Sequence, residues 1–192
     1  EERAYKREQA PKKRQVRRIP NIHITIMEKK HLDIIIEKYK ESELTGNDRI
    51  LVDKAIEATR NSYSPYSHFS VGACVMLADG KTIIGANQEN AAYPVGLCAE
   101  RTAIFAAQSQ YPETPITAIA IAARDTSGEL THKPVTPCGS CRQVILEIEQ
   151  RYSTNVRVLL YGTSHVYAVN SIKDLLPLSF IAEDMNPNKE EK

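Results

Sequence analysis

The chain lacks any apolar run approaching the roughly 20 residues that cross a bilayer, which argues against a helical membrane protein. It also lacks an N-terminal apolar stretch closed by a small-residue cleavage site, so no secretory leader is expected. No segment repeats. The five histidines (His23, His31, His68, His132 and His165) fall at no spacing typical of metal ligands. Net charge is scarce too, at +1, and it is unevenly placed. Residues 1–20 hold eight basic side chains against three acidic ones, a net of +5, so the remainder of the chain carries −4. That remainder lacks the basic stripe needed to track a polynucleotide backbone, which disfavours a nucleic-acid partner and favours a small molecule.

What is present suits one globular domain: 192 residues, 42% apolar and 26% charged. Residues 1–26 form a basic N-terminal extension, with Pro11 and Pro20 and no clean period, and are expected to be disordered. Met27, followed by Glu28-Lys29-Lys30, offers an alternative start. Residues 27–185 make a single catalytic domain, and residues 186–192 are expected to fray. Four cysteines in a chain without a leader should be reduced, in the cytoplasm, and open to a metal.

Periodicity then places the elements. Residues 31–39 favour a short strand. Asn47 and Asp48 are suited to cap a helix over about 50–61, where Leu51, Ala55 and Ala58 recur at helical spacing. Phe69–Leu77 and Thr82–Ala86 flank Asp79-Gly80 and predict a hairpin. A loop runs from Asn87 to Leu97, a helix from about Cys98 to Gln108, and a buried strand from Ile116 to Ala123. A second helix starts near Cys138, with Cys141, Val144, Ile145, Ile148 and Tyr152 on one face. Strands at Val156–Tyr161 and Val166–Val169 and a short turn at Asp174–Leu176 complete the order. The fold class is α/β: a three-layer sandwich of a central mixed sheet of about five strands flanked by helices.

The chemistry concentrates in Cys98-Ala99-Glu100 and Pro137-Cys138-Gly139-Ser140-Cys141. Three thiolates suit a catalytic zinc ion, which keeps three protein ligands and leaves its fourth position open. Cys138 and Cys141 lie one turn apart on one helix face. Both Cys98 and Cys138 open helices, where backbone N–H groups and the helix dipole favour thiolate. Glu100, two residues from a ligand, is placed to move protons as a general base and acid; alone it also reads as an acidic residue stabilising a first helical turn. Three thiolates leave zinc with a surplus negative charge, and Arg101 and Arg142 are suited to donate to the sulfurs, or else are ordinary surface arginines. A lone C-x-x-C fits a redox pair, a structural metal or chance. Cys74, inside a predicted strand, reads as a small buried hydrophobe.

Taken with C-A-E upstream, P-C-x-x-C matches the zinc-deaminase signature with its histidine replaced by cysteine. The motifs Ser64-Pro65-Tyr66-Ser67-His68-Phe69-Ser70-Val71-Gly72-Ala73, Asn87-Gln88-Glu89-Asn90-Ala91-Ala92-Tyr93-Pro94, Cys98-Ala99-Glu100-Arg101-Thr102-Ala103 and Pro137-Cys138-Gly139-Ser140-Cys141-Arg142-Gln143 resemble the small, homotetrameric, three-cysteine cytidine deaminases. Leu175-Leu176-Pro177-Leu178-Ser179-Phe180 closes the resemblance, which spans roughly residues 48–182.

The resemblance implies zinc-dependent hydrolysis of cytidine or 2′-deoxycytidine, with one Zn²⁺ per subunit on Cys98, Cys138 and Cys141. It makes Glu100 the proton carrier between water, the ring N3 and the departing amine. Asn87 and Glu89 would bond a ribose hydroxyl and Phe69 would pack on the base, with Ala99 also in the substrate site. Ala91, Tyr93 and Phe180 would complete a neighbouring subunit's pocket, although Phe180 alone reads as core and Asn87-x-Glu89 alone as a polar loop. Three other readings stand beside it: a polynucleotide editor or binder using the basic arm, a nucleoside-antibiotic deaminase, and a structural-zinc interaction module.

Overall fold

A computed structural model describes residues 28–185; the basic arm and the C-terminal tail lie outside the described residues. The chain divides at Asp33/Ile34, and residues 28–33 form no helix or strand. From Ile34 onward, six strands form one sheet: β1 (Glu37–Tyr39), β2 (Ser70–Leu77), β3 (Thr82–Ala86), β4 (Ile116–Arg124), β5 (Arg157–Gly162) and β6 (His165–Val169). Three helices join them: α1 (Gly46–Ala58), α2 (Ala99–Gln110) and α3 (Gly139–Tyr152). The strand order is β1-β6-β5-β4-β2-β3. The β4–β5 pair is parallel and the others are antiparallel, so the sheet is mixed.

Side chains alternate across a strand, and β4 shows how this sorts the helices into layers. Ile119 and Ile121 join Ala103, Ile104, Ile145 and Leu146 of α2 and α3 on one face. Ala118, Ala120 and Ala122 face Leu51, Val52 and Ala55 of α1 on the other. The result is the three-layer α/β sandwich. Two glycines hold the helices close. A Cβ at Gly72 would lie 2.2 Å from the Ala55 carbonyl oxygen, and one at Gly85 would lie 2.4 Å from the Ala103 nitrogen. Gly85 therefore seats α2, and the residues at its N-terminus, directly against β3.

The hairpin forms between β2 and β3, with Gly80 in the left-handed region at φ 84° and its N–H donating to the Leu77 carbonyl at 2.9 Å. Cys74 is fully buried among apolar neighbours, and burial pushes its thiol up to about 11.

The structure differs from expectation at four places. The sheet has six strands rather than about five, because β1 adds an edge to β6. That strand covers only Glu37–Tyr39 of the expected 31–39, since Ile34, Ile35 and Ile36 stay 45%, 73% and 51% exposed and bury no face that would draw them into the sheet. Helix α1 starts at Gly46 behind Thr45, so Asn47 and Asp48 lie inside its first turn and do not cap it. Asp48 is engaged elsewhere: its carboxylate accepts from Arg157 Nε at 3.1 Å and Nη2 at 3.0 Å, while Glu37 takes the same guanidinium at 2.8 Å. Arg157 thus ties β1 and the start of α1 to β5. The last predicted turn forms one step early, as a 3₁₀ turn at Ile172–Leu175, because Ser171 caps it by accepting from the Lys173 N–H. Among the described residues no helix is long and apolar enough to cross a membrane.

Candidate active site

Two helix N-termini meet at one end of the sheet, by the carboxyl end of β4 and the amino end of β2. Cys98 is the residue before α2 and Cys138 the residue before α3; both have extended backbones, and their carbonyls accept the first helical bonds, from Thr102 and Arg142 N–H at 3.0 Å each. Cys141 sits one turn into α3 and is fully buried. The Cys98 and Cys138 sulfurs are 4.0 Å apart, the Cys138 and Cys141 sulfurs 3.5 Å, and all three lie within 4.8 Å of one another. A tetrahedral ion with metal–sulfur bonds of about 2.3 Å requires sulfurs about 3.8 Å apart, so the spacing fits zinc.

The thiols do not behave alike. Hydrogen bonding from the Cys141 thiol and from Arg101 holds Cys98 down to about 5, and that anion, together with burial, pushes Cys141 up. Three thiols crowded around one negative charge are a set that a divalent cation resolves by displacing their protons. Arg101 Nη2 donates to Cys98 Sγ at 3.3 Å. Arg142 does not reach a sulfur: its Nε donates to the Pro137 carbonyl at 2.9 Å and its Nη1 to the Leu175 carbonyl at 2.6 Å. One turn into α3, its side chain meets one carbonyl just before the helix and one at the end of the Ile172–Leu175 turn, and it braces the Cys138 loop instead of donating to a sulfur.

Glu100 lies in the first turn of α2 and is only 5% exposed. Burial, reinforced by the nearby Cys98 charge, raises its carboxyl above the ordinary glutamate range, so it holds a proton more readily than a surface glutamate. It lines a cavity of about 280 Å³ together with Phe69, Asn87, Glu89, Cys98, Ala99 and Cys138. The volume lies at the small end of ligand sites.

Much of the hydrogen-bonding capacity of the polar wall is already committed. Asn87 Oδ1 accepts from Ser62 Oγ at 2.6 Å and from the Val71 N–H at 2.7 Å, and its Nδ2 donates to the Phe69 carbonyl at 3.0 Å. Glu89 Oε2 accepts from the N–H groups of Tyr66 and Ser67 at 2.9 and 3.2 Å, and these hydrogen bonds around Ser67 and Tyr66 lower its carboxyl below the usual range. Glu89 therefore stays ionised while anchoring the loop that carries Phe69. His68, just before Phe69, takes a left-handed backbone at φ 55°.

Ala91, Tyr93 and Phe180 do not line this cavity. Tyr93 borders an adjoining depression of about 380 Å³ that shares Ser67 and Glu89 with it, and Tyr93 and Phe180 are 74% and 61% exposed. Phe180 is thus not core; its carbonyl accepts from Gln143 Nε2 at 2.8 Å. Sequence reasoning did not single out Ser67, Val71, Ile121, Val135 and Thr136 as cavity residues. Ser67 sat within a quoted motif and Val135-Thr136 directly before Pro137, but nothing in their own chemistry marks them.

Comparison with known proteins agrees with this geometry. The family model for the cytidine and deoxycytidylate deaminase zinc-binding region matches residues 45–155. The chain is 41% identical over 138 residues to the cytidine deaminase of Halalkalibacterium halodurans, an alignment covering 72% of this chain and 97% of that protein. It is 38% identical over 136 residues to that of Sporosarcina psychrophila, covering 71% and 93%. Among solved structures, the cytidine deaminase of Burkholderia pseudomallei superposes with a TM-score of 0.61 at 38% identity, covering 70% of this chain and all of that one. Fold, cysteine cluster and relatives agree: the chain belongs to the zinc-binding cytidine and deoxycytidylate deaminase family.

Proposed function

We propose that this chain hydrolyses cytidine and 2′-deoxycytidine to uridine and 2′-deoxyuridine with release of ammonia, serving pyrimidine salvage in the cytoplasm. The observation that carries this reading is the buried Glu100 carboxyl in the wall of the same small cavity as the Asn87/Glu89 pair and two members of the sulfur cluster, Cys98 and Cys138. Cys98, Cys138 and Cys141 would hold one Zn²⁺, which when bound supplies a water acidified toward neutral pH.

Each remaining task falls to a protein group. Glu100 accepts a proton from the attacking water and delivers it to the pyrimidine N3 as oxygen bonds to C4. It then takes the proton of the C4 hydroxyl and passes it to the exocyclic amine, so that C4=O forms as the C4–N bond breaks with ammonia as the leaving group. Its raised proton affinity matches both halves of that shuttle. Asn87 has one N–H left to give and Glu89 an oxygen left to accept, a pair that suits a hydroxyl able to accept from one and donate to the other. Phe69 offers an apolar wall to the base. Arg101 offsets the negative charge of the thiolates.

The exposure of Tyr93 and Phe180, with Ala91 on the same loop as Tyr93, supports a homotetramer in which these residues complete a neighbour's pocket. The test of function is direct. Purified zinc-loaded protein given cytidine releases one ammonia per uridine formed, and Glu100→Gln binds zinc but turns over at least 10²-fold more slowly. Zinc-loaded protein that leaves cytidine unchanged refutes the reading.

A further inference from the structure

Three serines stand behind the polar wall in a line that ends on Asn87. Ser70 Oγ is 3.2 Å from Ser64 Oγ, Ser64 Oγ is 3.2 Å from Ser62 Oγ, and Ser62 Oγ is 2.6 Å from Asn87 Oδ1. A hydroxyl has one hydrogen to give. The contact of 2.6 Å claims that of Ser62, because Asn87 Oδ1 can only accept. The longer Ser62–Ser64 contact, in which Ser62 again stands as the donor, has no second hydrogen to use, so the bond to the amide is the one that holds. That bond and the Val71 N–H both draw on Oδ1, and donors gathered on one acceptor polarise the amide.

Asn87 is the one side chain of the line that lines the cavity. Its Oδ1 carries two donors and its Nδ2 has given one hydrogen to the Phe69 carbonyl, so a single N–H is left for a ligand. Withdrawal of electron density toward Oδ1 makes that N–H a stronger donor, and the hydroxyl also resists rotation of the amide. We propose that Ser62 is a positioning residue for sugar recognition, acting on the substrate hydroxyl through Asn87 without touching the substrate. The inference rests on the deaminase reading above. None of the three serines bonds to the sulfurs or to Glu100, so their effect belongs to binding of the sugar and not to the proton shuttle.

The test pairs a protein change with a substrate change. For Ser62→Ala the expected result is a KM for cytidine raised about three- to tenfold with kcat within about twofold, the range a single hydrogen bond commands. With 3′-deoxycytidine, which lacks the one ring hydroxyl that cytidine and 2′-deoxycytidine share, the same substitution should leave KM within about twofold of the unsubstituted protein. Ser62→Thr, which keeps the hydroxyl, should restore most of the loss. If Ser62→Ala weakens both substrates equally, or neither, the proposal is wrong and Ser62 only shapes the loop. If the unsubstituted, zinc-loaded protein turns over neither substrate, the deaminase reading falls and this one with it.

Discussion

Glu149 offers the sharpest test of how this fold holds its site in place. The side chain is 4% exposed near the end of α3. Its Oε1 accepts the N–H of Val156, entering β5, and the N–H of Ile172, entering the 3₁₀ turn at Ile172–Leu175, both at 2.9 Å. Its Oε2 accepts Ser171 Oγ at 2.8 Å. Glu149→Ala leaves two buried backbone N–H groups and the Ser171 hydroxyl hydrogen without an acceptor. At about 1–3 kcal/mol per orphaned donor the loss is roughly 3–9 kcal/mol, a large share of the 5–15 kcal/mol typical of a domain. Glu149→Gln keeps the acceptor for both N–H groups and lets Ser171 turn to accept, so only the charge assistance is lost, about 1–2 kcal/mol. Urea unfolding followed by circular dichroism gives both values from the midpoint at constant slope. The expected order is wild type, then Gln, then Ala, with Ala at least 2 kcal/mol below Gln. An Ala variant within about 1 kcal/mol of wild type, or equal losses for the two, would refute the reasoning, because the cost is argued from unsatisfied N–H groups and not from lost packing.

Four further outcomes follow from the site. Glu100→Gln should retain zinc, by metal analysis, and a Tm within a few degrees of wild type, because the amide fits the same space, while turnover collapses. Prolonged chelation should abolish turnover and lower Tm, and added Zn²⁺ should restore both; in Cys138→Ala, with two sulfurs left, metal content should fall well below one ion per chain. Arg101→Gln should lower zinc affinity with a small change in melting, since the guanidinium meets a sulfur, whereas Arg142→Gln should lower Tm more, since it loses two carbonyl contacts. Gly85→Ala should cost about 1–3 kcal/mol or more in urea unfolding, because its Cβ meets the backbone of α2 at 2.4 Å; an unchanged midpoint would show that α2 shifts freely.

Residue order alone carried the parts of this protein that depend on neighbours in the chain. The β2–β3 hairpin follows from two β-rich runs around Asp79-Gly80, and α3 from a 3.6-residue period that puts Cys138 and Cys141 at its start. The motif spacing named the zinc-binding family, which the relatives then showed. Where a side chain answers to a distant partner, local pattern fails. Asp48 has the chemistry of a helix cap, yet Arg157, 109 residues away, takes its carboxylate. Arg142 sits beside a ligand cysteine in sequence, yet the carbonyls of Pro137 and Leu175 hold it. The run Ile34-Ile35-Ile36 before Glu37 has the residue types of a strand, yet all three side chains stay exposed, with nothing among the described residues covering them. Tertiary structure alone placed Cys98 within 4.0 Å of Cys138 across 40 residues, buried Glu100 beside them, and aligned three serines on Asn87. Such arrangements arise because the sheet and its close-packed helices fix distances that residue order does not encode.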